Sequence, residues 1–162
     1  IHPAAPRGVY RLPLSVLRAT WPVLHRPSNR RRAVPLTPAE FHYAFANTVS
    51  RAESDSWHAK LAIPAPARPL FQSAVANFLP KSRAATVVDY AKPDRAPLLL
   101  IAGGRDHIVP SPVVYENFTR YRRSAAPTDF KLFEDRSHLT AALDGWTDVA
   151  DYALTWTAGH SG

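Results

Sequence analysis

Ala96-Pro97-Leu98-Leu99-Leu100-Ile101-Ala102-Gly103-Gly104-Arg105-Asp106-His107-Ile108-Val109-Pro110 is the stretch that decides how the chain is read. Leu98, Leu99, Leu100 and Ile101 run without a polar break between Pro97 and Gly103-Gly104. A short apolar run bounded by Pro and Gly predicts a strand buried on both faces, as in a parallel sheet. Arg105, Asp106 and His107 follow at once. The Asp106 carboxylate is therefore expected on the loop at the carboxyl end of a central strand, where open α/β sheets keep their ligands and chemistry.

A second segment answers the first. Asp129-Phe130-Lys131-Leu132-Phe133 predicts another short strand, and Glu134-Asp135-Arg136-Ser137-His138 puts His138 on the loop just past its end. The order is strand, Asp loop, helix, strand, His loop, helix. With Gly103 to Pro110 and Arg136-Ser137-His138-Leu139 as they stand, it resembles the last third of an α/β-hydrolase. The resemblance covers roughly the last 65 residues well and the rest more loosely. It implies an α/β fold class, a partial α/β-hydrolase fold with an inserted helical cap. Residues 1–90 would be the end of a core strand followed by the cap or lid, and residues 91–162 the carboxyl-terminal part of the core. It also implies Asp106 as the acid and His138 as the base of a catalytic triad.

The family's nucleophile sits in a Gly-X-Ser-X-Gly elbow ahead of the acid. The glycines here are Gly8, Gly103, Gly104, Gly145, Gly159 and Gly162, and no pair brackets a serine at that spacing. There is no Cys to replace it. The expectation is the carboxyl-terminal half of a hydrolase, its partner being the missing amino-terminal half of the same fold. By itself the chain would be inactive.

Composition bounds the rest. With 46% hydrophobic and 20% charged residues in a chain of 162, the class is globular and one domain's worth. A buried-type strand with only one good strand for company predicts an uncovered apolar edge. Zero Cys excludes a disulfide scaffold and a thiolate metal site. No apolar run approaches the length of a membrane span, and no signal-peptide pattern lies within the chain. The expected location is cytoplasmic, an upstream leader remaining compatible with the sequence.

The net charge of +7 permits anionic partners, and basic residues cluster at Arg30-Arg31-Arg32 and Arg120-Tyr121-Arg122-Arg123. The first cluster reads as a solvated loop. The second ends a helix, where cations oppose the negative end of the dipole. With no aromatic interleaving, zinc spacing or helix-turn-helix pattern, nucleic acid is not an expected partner.

Sixteen prolines argue for short helices joined by bends before residue 97. Residues 14–20 predict one or two helical turns limited by Pro22. Thr37-Pro38-Ala39-Glu40 predicts a capping box. Behind it Phe41, Ala44, Phe45, Thr48 and Val49 fall on one helical face. Ser50-Arg51-Ala52-Glu53 repeats the signal for a helix carrying Trp57 and Leu61. Residues 63–69 read as a stiff extended connector, and residues 70–79 as a helix with Phe71, Ala74, Val75 and Phe78 on one face. After the Asp loop a helix from Ser111 to about Arg123 would bury Val114, Tyr115, Phe118 and Tyr121 or Arg122. After the His loop residues 145–157 would face inward with Trp146, Val149, Ala150, Ala153 and Trp156, leaving a frayed tail.

In a serine hydrolase the base takes the nucleophile's proton and returns it to the leaving group. An imidazole with a pKa of roughly 6.5 suits both tasks. A carboxylate on the other ring nitrogen fixes the tautomer. The plain alternative is that Asp106 forms a turn and His138 decorates a surface loop; the paired strand-end contexts favour the catalytic reading. His107, next to Asp106, is expected to pack against or face the cap. A metal held by Asp106, His107 and His138 lacks supporting ligand spacing, so no metal or organic cofactor is implied. Phe41, Phe45, Trp57 and Ile108 are the candidate wall of an apolar acyl pocket. The expected activity is hydrolysis of a small or apolar ester through an acyl-enzyme, esterase- or lipase-like. An Asp nucleophile with dehalogenase or epoxide-hydrolase chemistry is also open. The contrasting expectation is a non-catalytic α/β module or remnant that binds a partner or anionic surface through its basic loops.

Overall fold

The computed structural model describes residues 1–160; Ser161 and Gly162, the end of the expected frayed tail, lie outside the described residues. The elements follow in the order α1 (Leu14–Leu24), β1 (Ala33–Val34), α2 (Pro38–Ala44), α3 (Arg51–Leu61), β2 (Ala65–Pro66), α4 (Arg68–Val75), β3 (Leu98–Gly103), α5 (Ser111–Tyr121), β4 (Thr128–Phe133) and α6 (Trp146–Gly159). Short 3₁₀ turns occupy Pro27–Arg31 and Ala76–Phe78. The chain is mixed α/β with two small sheets.

The deciding stretch forms β3, which pairs in parallel with β4 from Leu98↔Thr128 to Gly103↔Phe133. Successive side chains of a strand alternate between faces. The even residues Leu98, Leu100, Ala102, Phe130 and Leu132 pack with Val9, Val109, Val113 and Val114 into one core under α5. The odd residues of β4 meet α6: the Phe133 and Tyr152 rings lie edge to face, and Trp156 Nε1 donates to Asp129 at 2.6 Å. Each fully buried aliphatic side chain of this core, such as Val114, contributes about 1.5–3 kcal/mol.

The edge of β3 away from β4 carries one bond to the start of the chain, from the His2 N–H to the Ile101 carbonyl at 2.9 Å. From there residues 3–11 run along the core. Gly8 N–H donates to Asn77 Oδ1, Asn77 Nδ2 donates to the Val9 carbonyl, and the Tyr10 and Arg11 N–H groups donate to Glu116. These bonds place Val9 in the core.

Helices α1 to α4, with the two-residue β1–β2 ladder, lie between this segment and β3 in sequence. Thr37 and Glu40 form the expected capping box: Glu40 Oε2 takes the Thr37 N–H at 2.7 Å, and Thr37 Oγ1 takes the Glu40 N–H at 3.3 Å. Ser50 caps α3 through the Glu53 N–H, without the reciprocal bond.

Several expectations need correction. Pro22 lies inside the last turn of α1, two residues before Leu24, so its missing donor costs one bond at the end of the ladder. Helix α2 stops at Ala44, leaving Thr48 and Val49 in a turn instead of on its face. Arg68 and Pro69 belong to the first turn of α4, where Pro is tolerated. The face of Phe71, Ala74, Val75 and Phe78 is not a core stripe, since Phe78 is 87% exposed. On α5 the buried residues are Val113, Val114 and Asn117, while Tyr115 is exposed. On α6 Val149 is buried and Trp146 exposed, and the helix continues through Gly159 into the expected tail. No described helix is long and apolar enough to cross a membrane.

Two glycines let the strand-end loops meet. A Cβ on Gly103 would stand 2.4 Å from the Arg136 carbonyl oxygen, and one on Gly104 2.2 Å from that of Glu134. The gap is bridged by Gly104 N–H to Phe133 O and Arg105 N–H to Arg136 O, both at 2.9 Å. Because the obstructing atoms are backbone, Gly104→Ala is expected to destabilise the chain by about 1–3 kcal/mol in urea unfolding. Gly159→Ala, with nothing within 4 Å of the new methyl, is expected to be neutral or mildly stabilising.

Candidate active site

The loop after β3 and the loop after β4 bring Asp106 and His138 together. Asp106 is 2% exposed. Its Oδ1 accepts the N–H groups of Ile108 at 2.7 Å and Val109 at 2.9 Å, which lock the carboxylate as the chain turns toward α5. Its Oδ2 lies 2.8 Å from Nδ1 of His138. An ionised carboxylate only accepts, so Nδ1 of His138 carries the proton and Nε2 is the free acceptor of the neutral ring. The His138 side chain is 22% exposed.

His138 is held from behind as well. Thr140 Oγ1 donates to the Ser137 carbonyl at 2.6 Å, and the Leu139 N–H donates to the Phe45 carbonyl at 3.0 Å. The second bond ties the His loop to the end of α2. The Asp loop is tied to the same region by Asn47 Nδ2 on the Arg105 carbonyl at 3.0 Å. His107 turns away from the pair: its Nδ1 lies 2.8 Å from the Tyr43 carbonyl and its ring stacks on Tyr43. It faces α2, through Tyr43.

A third residue joins the site. The His2 ring lies over Gly103, its Cε1 3.1 Å from where a Cβ would be. Its Nδ1 is 2.9 Å from Asp106 Oδ2, and its ring centroid is 5.0 Å from that of His138. The His2 side chain is 6% exposed, and apart from the Nδ1 contact with Asp106 its ring has no partner: Nε2 is buried without a hydrogen bond. His2 also takes a left-handed backbone with φ 48°. It escaped the sequence reading because its neighbours are far along the chain. The available signal was the core-strand end expected at the start of residues 1–90; the first residues form no strand, and a single bond from the His2 N–H to the Ile101 carbonyl sets them beside β3. Ligand atoms of His2, Asp106 and His138 all lie within 4.8 Å of one another, so among the described residues these three form a group that could hold a metal ion, with His2 in place of His107.

Beside the pair is an apolar cavity of about 430 Å³. Phe41, Phe45 and Ile108 line it, with Leu36, Leu70 and Leu139. Phe45 stacks on Phe41 and meets the His138 ring edge-on at 5.2 Å, linking the cavity wall to the imidazole. Trp57 is a correction: it does not line this cavity and lies instead under the Lys60 ammonium. The inner positions of α3 are Ser54, fully buried, and His58, whose Nε2 is 2.8 Å from the Leu36 carbonyl. In the basic cluster at the end of α5, Arg120 pairs with Glu116 at 2.8 Å.

Burial pushes the Asp106 carboxyl's pKa up. The His138 bond, the nearby His2 nitrogen, the His138 charge and the Val109 N–H pull it down more strongly, holding it well below the usual carboxylate range. A carboxyl depressed on folding contributes stability that is present above the unfolded pKa of about 3.9 and is lost as pH falls toward the folded value. Stability is therefore expected to decline as pH drops below about 4. Asp106→Asn should remove that contribution and destabilise the chain at pH 7 by about 1–3 kcal/mol, both read by urea unfolding across pH. No family model, curated protein or solved structure matches this chain.

Proposed function

We propose that this chain supplies the acid and base of a hydrolase of the α/β-hydrolase fold, with Asp106 as the acid and His138 as the base. The single observation that carries this reading is the bond between Asp106 Oδ2 and His138 Nδ1, made between two loops at the carboxyl ends of adjacent parallel strands. In this arrangement Asp106 keeps the proton on Nδ1 and stabilises the imidazolium. His138 Nε2 takes the nucleophile's proton and then gives it to the leaving alkoxide. The reading requires a nucleophile, taken as a serine, and oxyanion donors that these 162 residues do not supply, so the chain alone is expected not to turn over substrate. Residues 1–90 act as the end of a core strand and a cap, and residues 91–162 as the end of the core.

The cavity supports an ester with an apolar acyl group as substrate. Its wall is aliphatic and aromatic, and Phe45 carries it up to the imidazole. Acylation of the nucleophile followed by hydrolysis needs no metal or organic cofactor.

In the longest natural form of the protein that contains this chain, His138→Ala and Asp106→Asn are each expected to lower kcat/KM for a p-nitrophenyl ester by roughly 10³–10⁴-fold, with folding retained by circular dichroism. Undiminished turnover would remove the reading. Ile108→Trp, which fills the cavity, should depress turnover of p-nitrophenyl octanoate at least ~10-fold more than that of the acetate.

A further inference from the structure

We infer that His2, Asp106 and His138 form a binding site for one divalent transition-metal ion of the zinc class, in competition with the Asp106–His138 hydrogen bond. Two observations carry this independently. The first is the convergence of three ligand atoms of the types that zinc takes, imidazole nitrogen and carboxylate oxygen, all within 4.8 Å of one another. The second is His2 itself. Its side chain is buried against the carboxylate with 6% exposure; Nδ1 faces Asp106 Oδ2 at 2.9 Å, and Nε2 has no hydrogen-bond partner. A buried nitrogen without a partner is costly, and a neutral imidazole so placed has a lone pair to offer.

Two imidazole nitrogens already face Oδ2, His138 Nδ1 at 2.8 Å and His2 Nδ1 at 2.9 Å. Only the first is aligned to donate. A cation between the rings and the carboxylate satisfies all three groups at once. Oδ1 stays on the Ile108 and Val109 N–H groups, so the carboxylate is held as a metal ligand is usually held by its outer partners. Three protein ligands leave a fourth position of a tetrahedral ion for water. With no thiolate in the chain and two imidazoles in the set, the site favours zinc and its neighbours over magnesium or calcium.

Binding exchanges one imidazole N–H bond for another and needs no redox partner. When His138 coordinates through Nδ1, its ring proton leaves that atom and solvent returns one to Nε2. The imidazole stays neutral with its tautomer reversed. Nε2 then cannot accept a proton, so an occupied site has no general base. That last consequence rests on the hydrolytic reading; the binding does not.

The test is calorimetric titration of the longest natural form of the protein that contains this chain, without a tag, with zinc chloride, alongside visible absorption on adding cobalt(II). One equivalent is expected to bind, with cobalt giving ligand-field bands. His2→Ala and His138→Ala should each weaken zinc binding at least ~10-fold and abolish the cobalt bands. His25→Ala and His160→Ala should leave both unchanged. Circular dichroism without metal shows whether each variant is folded; should His2→Ala unfold, His2→Gln keeps the bulk and is expected to show the same loss. Absence of binding by the wild-type chain overturns the site, as does undiminished binding in a folded His2 variant. No ester turnover enters these readouts, so an inactive protein would leave the site standing and a failed titration would leave the proposed activity standing.

Discussion

The close approach of two backbone loops is the constraint on which the rest of the molecule depends. Gly103 and Gly104 leave room for the carbonyls of Arg136 and Glu134, and Arg105 and Gly104 close the seam with their N–H groups. Parallel pairing alone brings two strand ends to the same level. Without side chains at 103 and 104, the loops beyond those ends come into direct backbone contact, and Asp106 and His138 reach hydrogen-bonding distance as a result. The short bond between them is thus a product of main-chain geometry, with Ile108, Val109 and Thr140 fixing the side chains once the loops are in place.

Strong local signals made the central pair readable from the residues. An apolar run between Pro97 and Gly103 has few alternatives, and β3 and β4 fall where the pattern put them, two residues longer and one residue longer. The Thr37 cap is equally local and forms in full. What failed was the assignment of buried faces. Apolar periodicity pointed to Trp57, Tyr115, Trp146 and Phe78, whereas Ser54 and Asn117 are buried and Tyr115, Trp146 and Phe78 are exposed. A helix turns only 100° per residue, so a bulky aromatic beside the true stripe shifts the apparent face by one position. Small polar residues then take the interior, where their size fits.

His2 shows the other limit. The contacts that define it are with residues about a hundred positions away, and nothing in the residues around it signals an imidazole laid against a carboxylate. The cavity wall falls between these cases. Phe41, Phe45 and Ile108 sit on or beside elements with clear local signals, while Leu36, Leu70 and Leu139 are brought to the cavity by how those elements pack together.

The stitching of residues 1–11 carries a kinetic meaning. Gly8 is bonded across 69 positions to Asn77, and Tyr10 across 106 positions to Glu116. The entropy of closing so long a loop rises only logarithmically with its length, which makes the stitch thermodynamically tolerable. Contacts of such separation nevertheless form slowly compared with the turn from β3 through α5 to β4, whose partners are near in sequence. On this ground the parallel pair is expected to assemble first, with Val9 entering the core and the His2 imidazole reaching the Asp106 carboxylate afterwards.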